Sequence, residues 1–165
     1  MTFADAGTLL QTLALAGGAR RILEVGTGAG RFTLSLAAAL PPDGMMITME
    51  ADAALAGEAR RQLAAAGHGE RVSVMVGDAT RFLHKIAGPF DLIVQASDPA
   101  RYDAMHERLV TLLRPNGVLV TDNIAGSGDH DPAAAFSRRL AADTRLQTSF
   151  LPIGDGVAIS VKRAS

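Results

Sequence analysis

The 165-residue sequence predicts an α/β fold: a mostly parallel sheet with helices on both faces and an antiparallel last strand. Two observations carry this. Short apolar runs alternate with segments of helical period along the whole chain, the pattern of strand–helix–strand units. At the carboxyl end, the runs LQTSFL and GVAISVK are joined only by PIGDG. Such a link fits a tight reversal and not a crossover helix, so the final strand runs antiparallel.

The elements follow in order. Asp5 caps a first helix through Ala16, with Leu9, Leu13 and Ala16 on one face and Gly17–Gly18 ending it. Arg21–Val25 is a short buried strand. Residues 31–40 are helical until Pro41–Pro42, and Asp43–Gly44 supplies a turn. Met45–Glu50 is the second strand; Asp52 then caps a helix carrying Leu55, Ala59 and Leu63, closed by Gly67. Arg71–Val76 is the third strand, followed by a short helix over 80–86, and Phe90–Gln95 is the fourth. The next helix opens with Asp98 as N-cap and Pro99 at its first position. It places Tyr102, Met105, Leu109 and Leu112 at helical spacing and ends at Pro115–Asn116–Gly117. Gly117–Asn123 is the fifth strand, and Asp131–Pro132 opens another helix before the two closing strands.

Length and composition bound the function. The chain reads as one domain over residues 1–165, an amino-terminal helical segment 1–20 followed by a core from 21 to 165. A formal net charge of -1 and the lack of any Lys/Arg run argue against a nucleic-acid partner. Cysteine is absent, which excludes a disulfide framework, a thiol nucleophile and a Cys-based zinc site, and fits a cytoplasmic location. The amino-terminal segment lacks a basic n-region and carries Asp5, unlike an export signal. No stretch approaches the ~20 apolar residues that would span a bilayer.

The informative loop is ILEVGTGAGRF, residues 22–32, where Gly26, Gly28 and Gly30 follow the first strand directly. In an open α/β sheet, ligands bind beyond the carboxyl ends of the strands, and the first strand-to-helix turn is the favoured place. The spacing G-x-G-x-G, with Arg31 next, departs from the G-x-G-x-x-G of dinucleotide sites. Glu24, two residues before the first glycine, would repel a pyrophosphate and attract a cation. That favours S-adenosylmethionine, whose sulfonium and ammonium are both positive, over NAD. Glu50 ends the second strand, where an acid can bind both ribose hydroxyls. Asp78, after the third strand, is placed to accept from an adenine amino group. Taken singly, Glu50 also reads as a solvated strand end and Asp78 as a helix cap. Together, three acids on one rim of one sheet read as a nucleoside pocket.

These motifs, with LPPDGMMITMEAD, RVSVMVGDA, GPFDLIVQ, LLRPNGVLVTDN and LPIGDGVAIS, resemble the class I S-adenosylmethionine-dependent methyltransferases. Within that class the sequence is similar to the cation-dependent O-methyltransferases of catechol and caffeoyl-CoA type, over Gly7 to Lys162. The resemblance implies a Rossmann-like, seven-stranded sheet and a homodimer. It implies that Glu24, Gly26, Thr27 and Gly30 line the methionine end of the cofactor, that Glu50 binds the ribose, and that Asp78 and Ala79 hold the adenine; Gly28 and Ala51 are further cofactor-binding candidates. The family carries a small hydroxyl residue at the position of Phe32; Thr33 is the expected substitute.

The resemblance breaks at the catalytic positions. The family holds a divalent cation with an Asp just past the fourth strand and an Asp-Asn pair after the fifth. The pair is present as Asp122–Asn123, but Ala96 stands at the third ligand position and lines the cofactor instead. Pro99 stands where the catechol-type enzymes have a lysine that helps deprotonate the acceptor. Magnesium favours oxygen ligands that include carboxylates, so a divalent metal is not expected to bind well. Asp98 is the nearest replacement acid, although its place before Pro99 also makes it a helix cap. Of four histidines, His68, His84 and His106 read as surface residues; His130, in the loop after the fifth strand, is the candidate base. Family members carry further helices ahead of the first strand, and the single short one here implies an open acceptor mouth or one covered by a partner subunit. The expectation is a cytoplasmic enzyme that methylates a small-molecule hydroxyl with weak or no metal dependence, acting on neither nucleic acid nor membrane. A non-catalytic S-adenosylmethionine-binding regulator and an NAD-dependent enzyme are the alternatives.

Overall fold

A computed structural model describes residues 5–164; Met1–Ala4 of the segment read against export, and Ser165, lie outside it. The elements are α1 (Ala6–Ala16), β1 (Arg21–Val25), α2 (Arg31–Ala39), β2 (Met45–Glu50), α3 (Ala53–Ala65), β3 (Val72–Val76) and α4 (Ala79–Phe82). They continue with β4 (Phe90–Gln95), α5 (Tyr102–Leu112), β5 (Leu113–Asp122), α6 (Pro132–Ala142), β6 (Leu146–Leu151) and β7 (Val157–Lys162). Short 3-10 turns follow α4 (Leu83–Lys85) and precede α5 (Pro99–Arg101).

All seven strands form one sheet in the order β3-β2-β1-β4-β5-β7-β6. The first five are parallel, and β7 runs antiparallel to both β5 and β6. The chain winds outward from β1 to β3, then returns to place β4 on the other side of β1. That reversal opens a crevice beyond the carboxyl ends of β1 and β4, the place where such sheets bind ligands. Both faces are covered: Ile22, Leu36, Met46, Leu63, Leu92 and Val94 belong to one core. Leu23, Phe90, Ile93, Tyr102, Leu109 and Phe136 belong to the other.

Each of the five aspartates placed before a helix or turn caps it. Asp5, Asp52, Asp78, Asp98 and Asp131 accept from N–H groups two or three residues on. Four expectations are corrected. In α1 the buried stripe is Ala6, Gly7, Leu10 and Ala14, while Leu9 and Leu13 flank it and Ala16 is exposed. The cause is close packing on α2: a Cβ on Gly7 would lie 3.1 Å from Ser35 Oγ, so the small residues face inward. In α3, Ala56 takes the inner position and Leu55 is exposed. Strand β5 starts at Leu113, not Gly117: Leu113 pairs with Phe90, and the strand absorbs Pro115–Gly117 as an irregularity with Asn116 at φ 59°. His106 is fully buried. Among the described residues no helix is long and apolar enough to cross a membrane.

Candidate cofactor and acceptor site

The crevice holds a cavity of about 540 Å³, within the range of small-molecule sites. The glycine loop forms its floor. Gly26 and Thr27 extend the β1–β2 ladder, their N–H groups donating to Met49 O at 2.9 and 3.2 Å. Gly26 sits at φ 98°, and any Cβ there would fall 2.6 Å from the carbonyl carbon of Ala96, so the loop and the exit of β4 pass in contact. Gly28 sits at φ 53° with open space where a Cβ would point. Glu50 fixes the loop: its Oε2 accepts from Gly28 N–H at 2.7 Å and its Oε1 from Asp52 N–H at 3.0 Å.

Nine of the residues singled out from sequence line this cavity: Gly26, Thr27, Gly28, Glu50, Ala51, Ala79, Ala96, Asp98 and Asp122. Glu50, Ala51 and Ala79, the positions expected to hold the nucleoside, lie at or just after the ends of β2 and β3. Ala96, Asp98 and Asp122 stand at the ends of β4 and β5.

The others are elsewhere. Glu24 is fully buried beneath the loop, its Oε2 accepting from Thr33 and Thr48 hydroxyls, each at 2.6 Å. Burial pushes its carboxyl up to about 7, against the pull of the two threonines. Its Oε1 has no hydrogen-bond partner among the described residues. Thr33 is equally buried and spends its hydroxyl on Glu24, so it does not replace the hydroxyl missing at Phe32. Gly30, at φ 99°, lets α2 approach Ala59 of α3, where a Cβ would lie 3.3 Å from the alanine. Asp78 caps α4 and pairs with Arg101 Nη2 at 2.6 Å; that guanidinium, then Thr80, holds its carboxyl down at about 2. Asn123 is exposed at φ 56°, and His130 is exposed in the β5–α6 loop; neither lines the cavity.

Sequence reading missed Arg31, Ser97, Arg101 and Met105 on the wall. Position alone could have found the two arginines, since Arg31 is the first residue of α2 and Arg101 immediately precedes α5. Tyr102 was read only as core. Its hydroxyl shares one proton between Ser97 O and Asp122 O, each 2.9 Å away, and so ties the exit of β4 to the exit of β5. Burial, with Asp122 and Asp98 nearby, raises its pKa. Asp122 is itself half-buried, and its carboxyl is pushed up by that burial.

The residue set does not suit a divalent metal. Ala96 offers no side-chain ligand atom, Asp98 Oδ1 accepts from Ala100 N–H at 3.0 Å, and Asn123 does not line the cavity. Among the described residues no three His, Cys, Asp or Glu side chains converge to hold an ion.

The sequence profile of the O-methyltransferase family matches residues 1–163. The chain belongs to this family. It is 33% identical to a catechol O-methyltransferase of Niastella koreensis over 94% of this chain and 79% of that protein. The O-methyltransferase TomG of Streptomyces achromogenes, solved with S-adenosylmethionine, superposes with a TM-score of 0.90 at 29% identity, over 99% of this chain and 82% of that one. An O-methyltransferase of Bacillus cereus, solved with S-adenosylhomocysteine, gives 0.88 at 31% identity over 95% and 80%. The chain is thus an S-adenosylmethionine-dependent methyltransferase, built on this family's seven-stranded sheet with an antiparallel last strand.

Proposed function

We propose that this enzyme moves the sulfonium methyl of S-adenosylmethionine to a hydroxyl oxygen of a small-molecule acceptor, without help from a divalent metal. One observation supports the reading: Ala96, at the position where the resemblance implies a metal-binding acid, lines the cleft beside the glycine loop, with Pro99 at the expected lysine position three residues on. The residues present fit the cofactor. Open space before Gly28 leaves room for it against the loop, and Glu50 is fixed on the wall where a ribose would lie. The bound cofactor supplies an electrophilic methyl on a good leaving group. The acceptor oxygen forms the C–O bond as the C–S bond breaks, and the hydroxyl proton departs.

What the chain contributes is placement. Orientation of reacting groups is worth up to roughly 7–11 kcal/mol in favourable cases, enough to carry catalysis for an acceptor acidic enough to ionise readily. Asp98 and Asp122 are the carboxylates that face this half and receive the proton; His130 is off the wall. The test is turnover of a panel of phenols and hydroxy acids, read as S-adenosylhomocysteine formed, with and without EDTA or magnesium. Turnover that changes less than twofold with metal is expected. A tenfold dependence on magnesium overturns the metal-free reading, and failure of calorimetry to detect S-adenosylhomocysteine binding overturns the whole.

A further inference from the structure

We infer that Arg31 receives the carboxylate of the cofactor's methionine moiety, on the platform made by Phe32. This rests on the cleft being the S-adenosylmethionine site. That cofactor carries two positive groups and one negative one, its carboxylate, so the wall at its amino-acid end needs a cation or several donors. With Glu50, Ala51, Gly77 and Ala79 on the nucleoside side, the amino-acid end lies along the glycine loop toward the start of α2, where Arg31 and Phe32 form the wall.

A phenyl ring at position 32 offers no donor, and Thr33 is fully buried and committed to Glu24. The hydroxyl that the resemblance leads one to expect is therefore missing and its neighbour does not replace it. Arg31 is the available group. Its guanidinium carbon lies 4.5 Å from the Phe32 ring centroid, a cation–π contact that occupies none of its N–H donors. Among the described residues the Arg31 guanidinium has no ion pair and no hydrogen bond: Asp5 and Asp122 feel its charge without touching it. The other wall arginine is engaged, Arg101 with Asp78 at 2.6 Å. The first turn of α2 carries no acid to compete for the guanidinium. Phe32 thus does not simply delete a contact; it positions a bidentate carboxylate partner one residue earlier.

The experiment compares two probes by calorimetry: S-adenosylhomocysteine, which has the carboxylate, and 5′-methylthioadenosine, which keeps the nucleoside and thioether but lacks the amino-acid tail. For Arg31→Gln we expect a loss of about ten- to a hundredfold in affinity for the first probe, the scale of a charge-assisted bidentate contact. The same variant should change affinity for the second less than twofold, with the melting temperature preserved; Arg31→Lys should recover part of the loss. Equal losses for both probes, or none for S-adenosylhomocysteine, overturn the assignment. An unchanged cofactor affinity with a raised KM for the acceptor also overturns it, because Arg31 would then serve the acceptor. Wild-type protein that binds neither probe marks failure of the cofactor reading itself.

Discussion

Gly26 and Gly28 lie in one loop, both at positive φ, yet a side chain at each meets a different environment. At Gly26 it meets the backbone of Ala96; at Gly28 it meets the space a ligand would use. Gly26→Ala should therefore cost about 2–4 kcal/mol of stability, from left-handed strain plus overpacking, as read by urea denaturation. Gly28→Val should cost less stability and abolish S-adenosylhomocysteine binding; unchanged affinity would refute the placement of the cofactor. The glycines and Glu50 were legible in the sequence because turn geometry and strand ends constrain them locally. Glu24 was not. A central parallel strand is covered on both faces, so an acid one residue before its end reaches Thr33 and Thr48 under the loop and never the rim. Thr33, Gly30 and Asp78 also carry a packing or capping role that appears only when two elements meet.

Helices α5 and α6 show the same limit one level up. Their starts were legible from Asp-Pro pairs, and Tyr102, Met105, Leu109 and Leu112 do face the core. What periodicity could not show is that His106 joins them. Its Nε2 lies 2.8 Å from Asp143 Oδ2 at the end of α6, with its ring edge-on to Phe136 at 5.4 Å. Arg145 and then His106 hold the Asp143 carboxyl well below the usual range, while burial lowers the imidazole's own pKa. Asp143→Ala strands a buried imidazole and should destabilise by about 1–3 kcal/mol, measured by denaturation. Cofactor affinity should stay within twofold, since neither residue lines the cavity.

At the scale of the molecule, two buried groups set opposing pH responses. Glu24 rises from 4.5 to about 7 on folding, so the folded state holds the extra proton and stability falls as pH climbs through that window. His106 shifts down from 6.5, so the unfolded state holds the extra proton and stability falls as pH drops below 6.5. In the interval just below pH 6.5 the two slopes oppose each other. Glu24→Gln should remove one of them, making the melting temperature climb with pH across that interval more steeply than in wild type. Identical wild-type and variant profiles would refute the buried, proton-holding carboxylate.

The mostly parallel sheet and its antiparallel last strand were legible because alternation and a short final link admit few topologies. The acceptor end was less so, because its shape depends on where two strands separate. There the Tyr102 hydroxyl, bound to Ser97 O and Asp122 O, works as a staple across the doorway. The exits of the fourth and fifth strands are thereby held at one separation, and loss of that single hydroxyl, as in Tyr102→Phe, would free both carbonyls together.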